Sequence, residues 1–314
     1  MTSRRFKQLA LAAAMALTLP LVQAQDPAAG PADPQRWQLN MGPGVTPTSQ
    51  AAYDAHMVVL WVCVVIGVLV FGAMAVAIFK FRKSKGAVAD TSFTHSTKLE
   101  VVWTAIPVLI LIGLAFPATS GLLRMYDVRD SAMTVKVTGY QWMWKYEYLG
   151  EDVSFTSRLD RQHDALRQSG KVVTESDAPH YLLNVDNMLV LPVGTKVRFV
   201  LTADDVIHSW WVPALGWKQD AVPGIVNEAW AKIDKPGIYR GQCAELCGKD
   251  HGFMPIVVKA VSQQEFAQWL AAEKAKQAPA SPAAPAAAPP APAAPAATAA
   301  ATPSAPPAAV AQAG

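Results

Sequence analysis

Two stretches of this chain, Met57 to Phe79 and Val101 to Leu123, contain no charged residue. As helices rising ~1.5 Å per residue, each is long enough to cross the ~30 Å hydrocarbon core of a bilayer. They commit residues 51–124 to a transmembrane hairpin with helices over about 57–80 and 101–123. The segment between them carries Lys80, Arg82, Lys83, Lys85 and Lys98 against Asp90 and, at its end, Glu100. The positive-inside rule places that loop on the cytoplasmic side and both termini on the other. Pro107 and Pro117 are expected to kink the second helix, which membrane helices tolerate. Cys63, in the first run, reads as a small buried hydrophobe.

The ends of the chain are of a different kind. Arg4, Arg5 and Lys7 precede a short apolar run from Leu9 to Leu19, and Val22-Gln-Ala24 follows as a small-residue cleavage site. That is a secretory signal peptide over 1–24, its apolar run being too short to span a bilayer. Residues 25–50, rich in Pro, Gly and Ala, read as a flexible arm. Residues 278–314 are almost all Ala and Pro without a charge, a composition that cannot bury a core and is expected to be disordered.

What remains, 125–277, is long enough for one soluble domain. The chain's formal charge of +3 does not describe it, because this segment holds 17 basic and 19 acidic residues. The positive excess belongs to the signal peptide and the membrane loop. From Met133 to Tyr148 the pattern has period two: Tyr140, Trp142, Trp144, Tyr146 and Tyr148 fall on one side of an ideal strand. That is the pattern of a sandwich core face, or of a surface that caps a membrane or a partner, with Gly139 marking a bulge. Further strands are expected at Tyr181–Val185, Val197–Thr202, Asn227–Ile233 and Ile256–Ala260, punctuated by Pro223-Gly224 and Pro236-Gly237. A closing helix is expected from Gln263 to Lys276. Many short strands with turn signals indicate a Greek-key sandwich.

The chemistry is concentrated in Gly241-Gln-Cys243-Ala-Glu245-Leu-Cys247-Gly-Lys-Asp-His251-Gly-Phe-Met254. Two thiols, an imidazole and a thioether lie within fourteen residues, and a second imidazole stands upstream at His208. Soft sulfur with imidazole selects copper in electron-transfer sites, where a long Met bond tunes the potential. A mononuclear site would need one Cys. Two can bridge a pair of ions with one His on each. Two cysteines alone would read as a disulfide in an oxidising compartment, and two Cys with two His as tetrahedral zinc. Met254 weighs against both, since neither has a use for a thioether. The residues therefore argue for a dinuclear copper centre.

His208, a 34-residue gap, then Cys243-x3-Cys247-x3-His251-x2-Met254 resembles subunit II of the haem-copper cytochrome c oxidases of bacterial type. So do Gly139-Tyr-Gln-Trp142-Met-Trp144-Lys-Tyr-Glu-Tyr148, Asp204-Asp-Val-Ile-His208-Ser-Trp and Asp220-Ala-Val-Pro-Gly224. The resemblance covers roughly residues 50 to 272. It implies a cupredoxin-like domain on the periplasmic side of the bacterial inner membrane. Cys243 and Cys247 would be the bridging thiolates, His208 and His251 would each complete one copper, and Met254 and the backbone carbonyl of Glu245 would be weak ligands. The Glu245 side chain would face the catalytic subunit, where relatives place a magnesium ion. Trp142 matches the surface residue at which electrons arrive from cytochrome c. Glu100 matches a residue near the mouth of a proton-uptake channel; read on its own, it compensates the dipole of the second helix.

The resemblance thus implies a subunit that takes electrons from cytochrome c and passes them to haem in catalytic subunit I, where oxygen is reduced to water. Other oxidase subunits and membrane lipid complete its partners, and no nucleic acid is expected. A fused haem c domain would need Cys-x-x-Cys-His; the chain has three Cys and no such motif, so no haem is expected in it and the donor is separate. The mildly acidic domain suits a basic cytochrome c, with Glu151, Asp152, Asp186, Asp204 and Asp205 as candidate docking acids. Each also reads as an ordinary solvated carboxylate. Two rivals remain: a quinol oxidase subunit, which would lack the copper ligands, and a copper carrier or assembly protein, which would usually lack Gln-Trp-x-Trp and the two spans.

Overall fold

A computed structural model describes residues 37–88, 91–92, 94–174 and 176–278. The signal peptide, the first part of the arm, Asp90 and all but the first residue of the Ala/Pro tail lie outside the described residues.

Helix α1 runs from Pro47 to Lys80 and α2 from Thr97 to Met125, joined by a basic segment with a single 3-10 turn at Lys83–Lys85. Their side chains are largely exposed along the apolar runs, as a bilayer-facing hairpin requires. The first helix starts ten residues before the apolar run, so residues 47–50, expected in the arm, form its first turn. The start is fixed locally. Thr46 accepts from the Ser49 amide, Ser49 closes a capping box back to Thr46, and Pro47 occupies the first position. At ~1.5 Å per residue the 34-residue helix is about 51 Å long and outreaches the membrane core. Its projecting end meets the soluble domain: Thr46 and Thr48 hydroxyls donate to the Leu215 carbonyl at 3.0 and 2.7 Å. At the end of α2, Trp230 Nε1 donates to the Arg124 carbonyl at 3.1 Å. Both helices are therefore tied to the β domain.

Ten strands follow: β1 (Met133–Tyr140), β2 (Met143–Tyr148), β3 (Val153–Ser157), β4 (Leu189–Pro192), β5 (Lys196–Ala203), β6 (His208–Val212), β7 (Trp217–Ala221), β8 (Asn227–Lys232), β9 (Gly237–Cys243) and β10 (Pro255–Val261). They form two five-stranded sheets, β3-β2-β1-β5-β8 and β4-β10-β9-β6-β7. Pairing is antiparallel except β1 with β5 and β4 with β10. Those two parallel pairs cannot be joined by tight hairpins, and in both the partner strands are separated in sequence by several other elements. Helix α3 (Arg161–Gln168) lies in the connection from β3 to β4, and α4 (Gln263–Gln277) closes the chain.

Period-two patterning builds the core. Val197, Phe199, Leu201 and Ala203 of β5 and Trp144, Tyr146 and Tyr148 of β2 point inward while their neighbours face outward. The sheets meet through Phe199 against Trp210 at 5.3 Å between ring centroids and through Tyr148 Oη, which donates to the Val190 carbonyl at 2.8 Å. Rings of this size dominate core energetics, and their hydroxyls and indole N–H groups need partners once buried. Trp269 of α4 covers one end of the core against Tyr148 at 5.2 Å.

Three local expectations are corrected. The aromatic stretch is a hairpin, β1 turning into β2 at Gln141–Trp142, so Tyr140 and Trp142 do not share a strand with Trp144, Tyr146 and Tyr148. Gly139 stands in regular β1 pairing, opposite Trp144 and Ala203, and marks no bulge. Tyr181–Val185 is a turn with one isolated bridge, Val185 to Leu159; His180 and Leu182 take left-handed φ of 54° and 64°. Tyr181 packs on the buried His163 of α3 at 5.8 Å, so tertiary packing overrides the β-propensity of this segment.

Candidate metal centre

His208 opens β6 and Cys243 closes β9, and these neighbouring strands pair at Trp210 and Cys243. The loop from Ala244 to Met254 returns to β10, whose Pro255 pairs with Gln242. Its start is pinned by Ala244 N donating to the Ser209 carbonyl at 2.9 Å. Two candidate donors therefore sit on strand ends, while Glu245, Cys247 and His251 ride on a loop tethered at both ends.

The side chains converge. Cys243 Sγ lies 3.9 Å from Cys247 Sγ, and both are free, buried thiols. His208 Nδ1 is 3.9 Å from Cys243 Sγ and His251 Nδ1 is 3.6 Å from Cys247 Sγ. The Glu245 carbonyl is 3.4 Å from Cys243 Sγ, and Met254 Sδ is 3.5 Å from Cys247 Sγ. Among the described residues, His208, Cys243 and Cys247 are the cluster whose donor atoms lie within 4.8 Å of one another. His208 and Met254 are fully buried. The donor set fits copper: soft sulfur and imidazole on a water-excluded site, with both imidazoles presenting the same nitrogen to the sulfurs.

An outer layer holds these donors. Asp205 Oδ1 lies 2.9 Å from His208 Nε2; a carboxylate only accepts, so Nε2 carries the proton and Nδ1 keeps its lone pair for a metal. Asp205 Oδ2 accepts from the Gln141 amide at 2.7 Å, and Gln141 Nε2 donates to the Cys247 carbonyl at 2.8 Å. Trp144 Nε1 donates to the Met254 carbonyl at 3.3 Å, and its ring meets His208 edge-on at 5.8 Å. Burial alone would lower the His208 pKa, yet the hydrogen bonds to Cys243 and Asp205 raise it. Burial would likewise raise Asp205, which the His208 ring and two backbone amides bring down. Cys247 is pushed up by burial and by the adjacent Cys243.

Trp142 sits beside this loop. A Cβ on Gly248 would meet Trp142 Cζ2 at 3.0 Å, and Lys249 Nζ stands 5.6 Å from the ring centroid. The candidate acids divide. Asp204 accepts from Tyr140 Oη, Asp205 belongs to the site itself, and Asp186 lies by Arg158, at the end of β3 that pairs with Trp144. Glu151 pairs with Lys274 and Asp152 shares its turn, at the other end of β2 from Trp142. Glu100 lies in the exposed first turn of α2 and is not brought to the centre. The Glu245 side chain is exposed.

Sequence reasoning missed the inward roles of Asp205, Gln141 and Gly139. A Cβ on Gly139 would fall 2.7 Å from His208 Cδ2, so only glycine leaves room for the ring. An Asp three residues before a candidate donor His was the available signal for Asp205. Nothing local announces Gln141 or Gly139.

A membrane hairpin bearing a cupredoxin-like sandwich, with sulfur and imidazole side chains gathered at one end of the sheets, defines a membrane-anchored domain with a candidate metal site. Residues 133–261 match the family described as cytochrome c oxidase subunit II, periplasmic domain, and residues 34–120 match its transmembrane domain. A probable cytochrome c oxidase subunit 2 of Rickettsia bellii is 37% identical over 242 residues, covering 77% of this chain and 86% of its own length. Cytochrome c oxidase subunit 2 of Mycosarcoma maydis is 36% identical over 246 residues, covering 76% and 92%. The crystal structure of the periplasmic domain of subunit II of cytochrome oxidase of Bradyrhizobium japonicum is 41% identical, covers 48% of this chain and 99% of its own, and superposes with a TM-score of 0.41. The chain belongs to the cytochrome c oxidase subunit II family. It is a membrane-anchored subunit of a terminal oxidase, an oxidoreductase complex.

Proposed function

We propose that this chain is the subunit through which electrons enter the oxidase. The observation that carries this reading is the meeting of two free thiols 3.9 Å apart with Nδ1 of one histidine on each side. Cys243 and Cys247 would hold a copper pair between them, His208 and His251 would complete one copper each, and Met254 Sδ and the Glu245 carbonyl would be weak ligands. Bound there, the pair would supply one-electron redox chemistry between reduced cytochrome c and haem in catalytic subunit I.

The rest is the work of the chain's own residues. Asp205 and Trp144 fix His208, so the imidazole need not reorient when charge changes. Burial of His208, Cys243, Cys247 and Met254 excludes water and keeps the surroundings stiff. Trp142 offers a ring that packs on the metal-binding loop, with Asp204 and Asp186 at the same end of the sheet for a basic cytochrome to approach. Glu151 and Asp152 stand a strand length away and contribute less. Glu245 would turn its side chain to a magnesium ion at the catalytic subunit, and Glu100 would stand at the proton-uptake mouth. The sandwich and both termini would face the periplasm at a bacterial inner membrane, a reading supported by the signal-peptide pattern over 1–24 and by the basic interhelical loop.

The test is rapid mixing of the copper-loaded full chain in detergent with reduced cytochrome c. Oxidation of the cytochrome at one electron per chain is expected. A cytochrome that stays reduced would contradict the proposal.

A further inference from the structure

His251 is the ligand the sheets support least. His208 and Cys243 belong to strands, and Met254 is fully buried beneath Trp144. His251 stands instead on a single 3-10 turn, His251–Phe253, whose N-terminal residue Asp250 makes no side-chain cap. What holds that turn comes from a different part of the chain. Arg167, in α3, donates from Nη1 to Asp250 Oδ1 at 3.2 Å and lays its guanidinium carbon 4.0 Å from the centroid of the Phe253 ring. One group thus grips both sides of the ligand, by charge on the residue before it and by stacking on the second residue after it.

The guanidinium is oriented for this from within its own helix. Asp164, one turn earlier in α3, accepts from Arg167 Nε at 3.0 Å and from Nη2 at 2.7 Å, which leaves Nη1 and the flat face for the loop. The helix is fixed in turn by its cap, Asp160 accepting from the Gln162 and His163 amides, and by the buried His163, whose Nδ1 accepts from Leu182 N at 3.3 Å. A planar, forked cation can hydrogen-bond along its edge and stack its face at once, whereas a compact ammonium has no flat face to stack.

The geometry points to Arg167 as the positioning residue for His251: α3 is a strap that clamps the His251 turn from outside the sandwich. The inference deepens the copper reading and rests on it for its consequence at the metal, but the clamp itself is a property of the chain.

The experiment compares the full chain in detergent with its Arg167→Met and Arg167→Lys variants in two measurements. Amide hydrogen exchange of the copper-free chain should rise in residues 248–254 for Arg167→Met, rise less for Arg167→Lys, and stay unchanged in the strands. Transfer of copper from the loaded chain to a chelator should be faster for Arg167→Met by about 10- to 100-fold for one of the two ions, the scale on which loss of an outer-shell partner weakens a metal site. Unchanged exchange and unchanged copper release would overturn the inference. A rise spread over all the strands in both variants would overturn it too, since Arg167 would then be a general fold contact. A wild-type chain that takes up no copper pair would sink the copper reading alone, because the exchange comparison needs no metal.

Discussion

Gly139 and His208 are fitted so closely that a methyl group on the glycine would lie 2.7 Å from Cδ2 of the ring and 3.0 Å from Cγ. The ring stands over β1 because Asp205 holds its far nitrogen and Trp144 packs its edge. Gly139→Ala should therefore push the imidazole off its position or strain β1, at about 1–3 kcal/mol, the usual cost of overpacking a filled core. Copper bound per chain, measured beside a thermal melt, is the check. A variant that folds and loads like the wild type would show that the ring has room to give.

Asp205 serves two groups, the His208 ring and the Gln141 amide. Asp205→Ala should weaken copper binding by about 10- to 100-fold, the range for removal of an outer partner of a ligand histidine. It should also loosen the Gln141–Trp142 turn. If Asp205 were only a docking acid, its loss would slow association with cytochrome c at low salt and leave copper affinity alone. Competition titration against a chelator separates the two.

Trp142→Phe keeps an aromatic ring against Gly248 but removes the indole. Slower oxidation of cytochrome c with an intact copper spectrum is expected from rapid mixing of the assembled oxidase. Unchanged turnover would remove Trp142 as the point where electrons arrive.

The join between hairpin and sandwich rests on Gly216, whose φ is +82° and whose added Cβ would fall 2.3 Å from Ser49 Cα. Gly216→Ala should undo the seat of the α1 capping box on Leu215 while leaving the strands formed. Limited proteolysis should then cut near residues 44–50, which the wild type protects. Equal protection in the variant would mean that the join tolerates the change.

How much of this could be read from the sequence depends on how local each cause is. The membrane runs were legible because an unbroken uncharged apolar stretch is itself the signal, and the strands β2 and β5 because burial on one face leaves a period of two in the chain. The ten-residue extension of α1 was not, because it is polar and is held by contacts with Leu215, distant in sequence. Tyr181–Val185 carried β-forming residues, yet His163 and α3 claimed the segment. At the candidate metal centre, residue types and spacing announced the sulfur and imidazole side chains that the fold brings together. The pieces that aim them were silent, since Asp205, Gln141 and Gly139 come from two loops and a strand that meet only in the folded sheet.

The most direct test is the copper content and electron paramagnetic resonance spectrum of the full chain after loading. Two copper ions per chain sharing one unpaired electron are expected, with hyperfine structure from both nuclei. One copper per chain, or a silent protein with a Cys243–Cys247 disulfide, would contradict it.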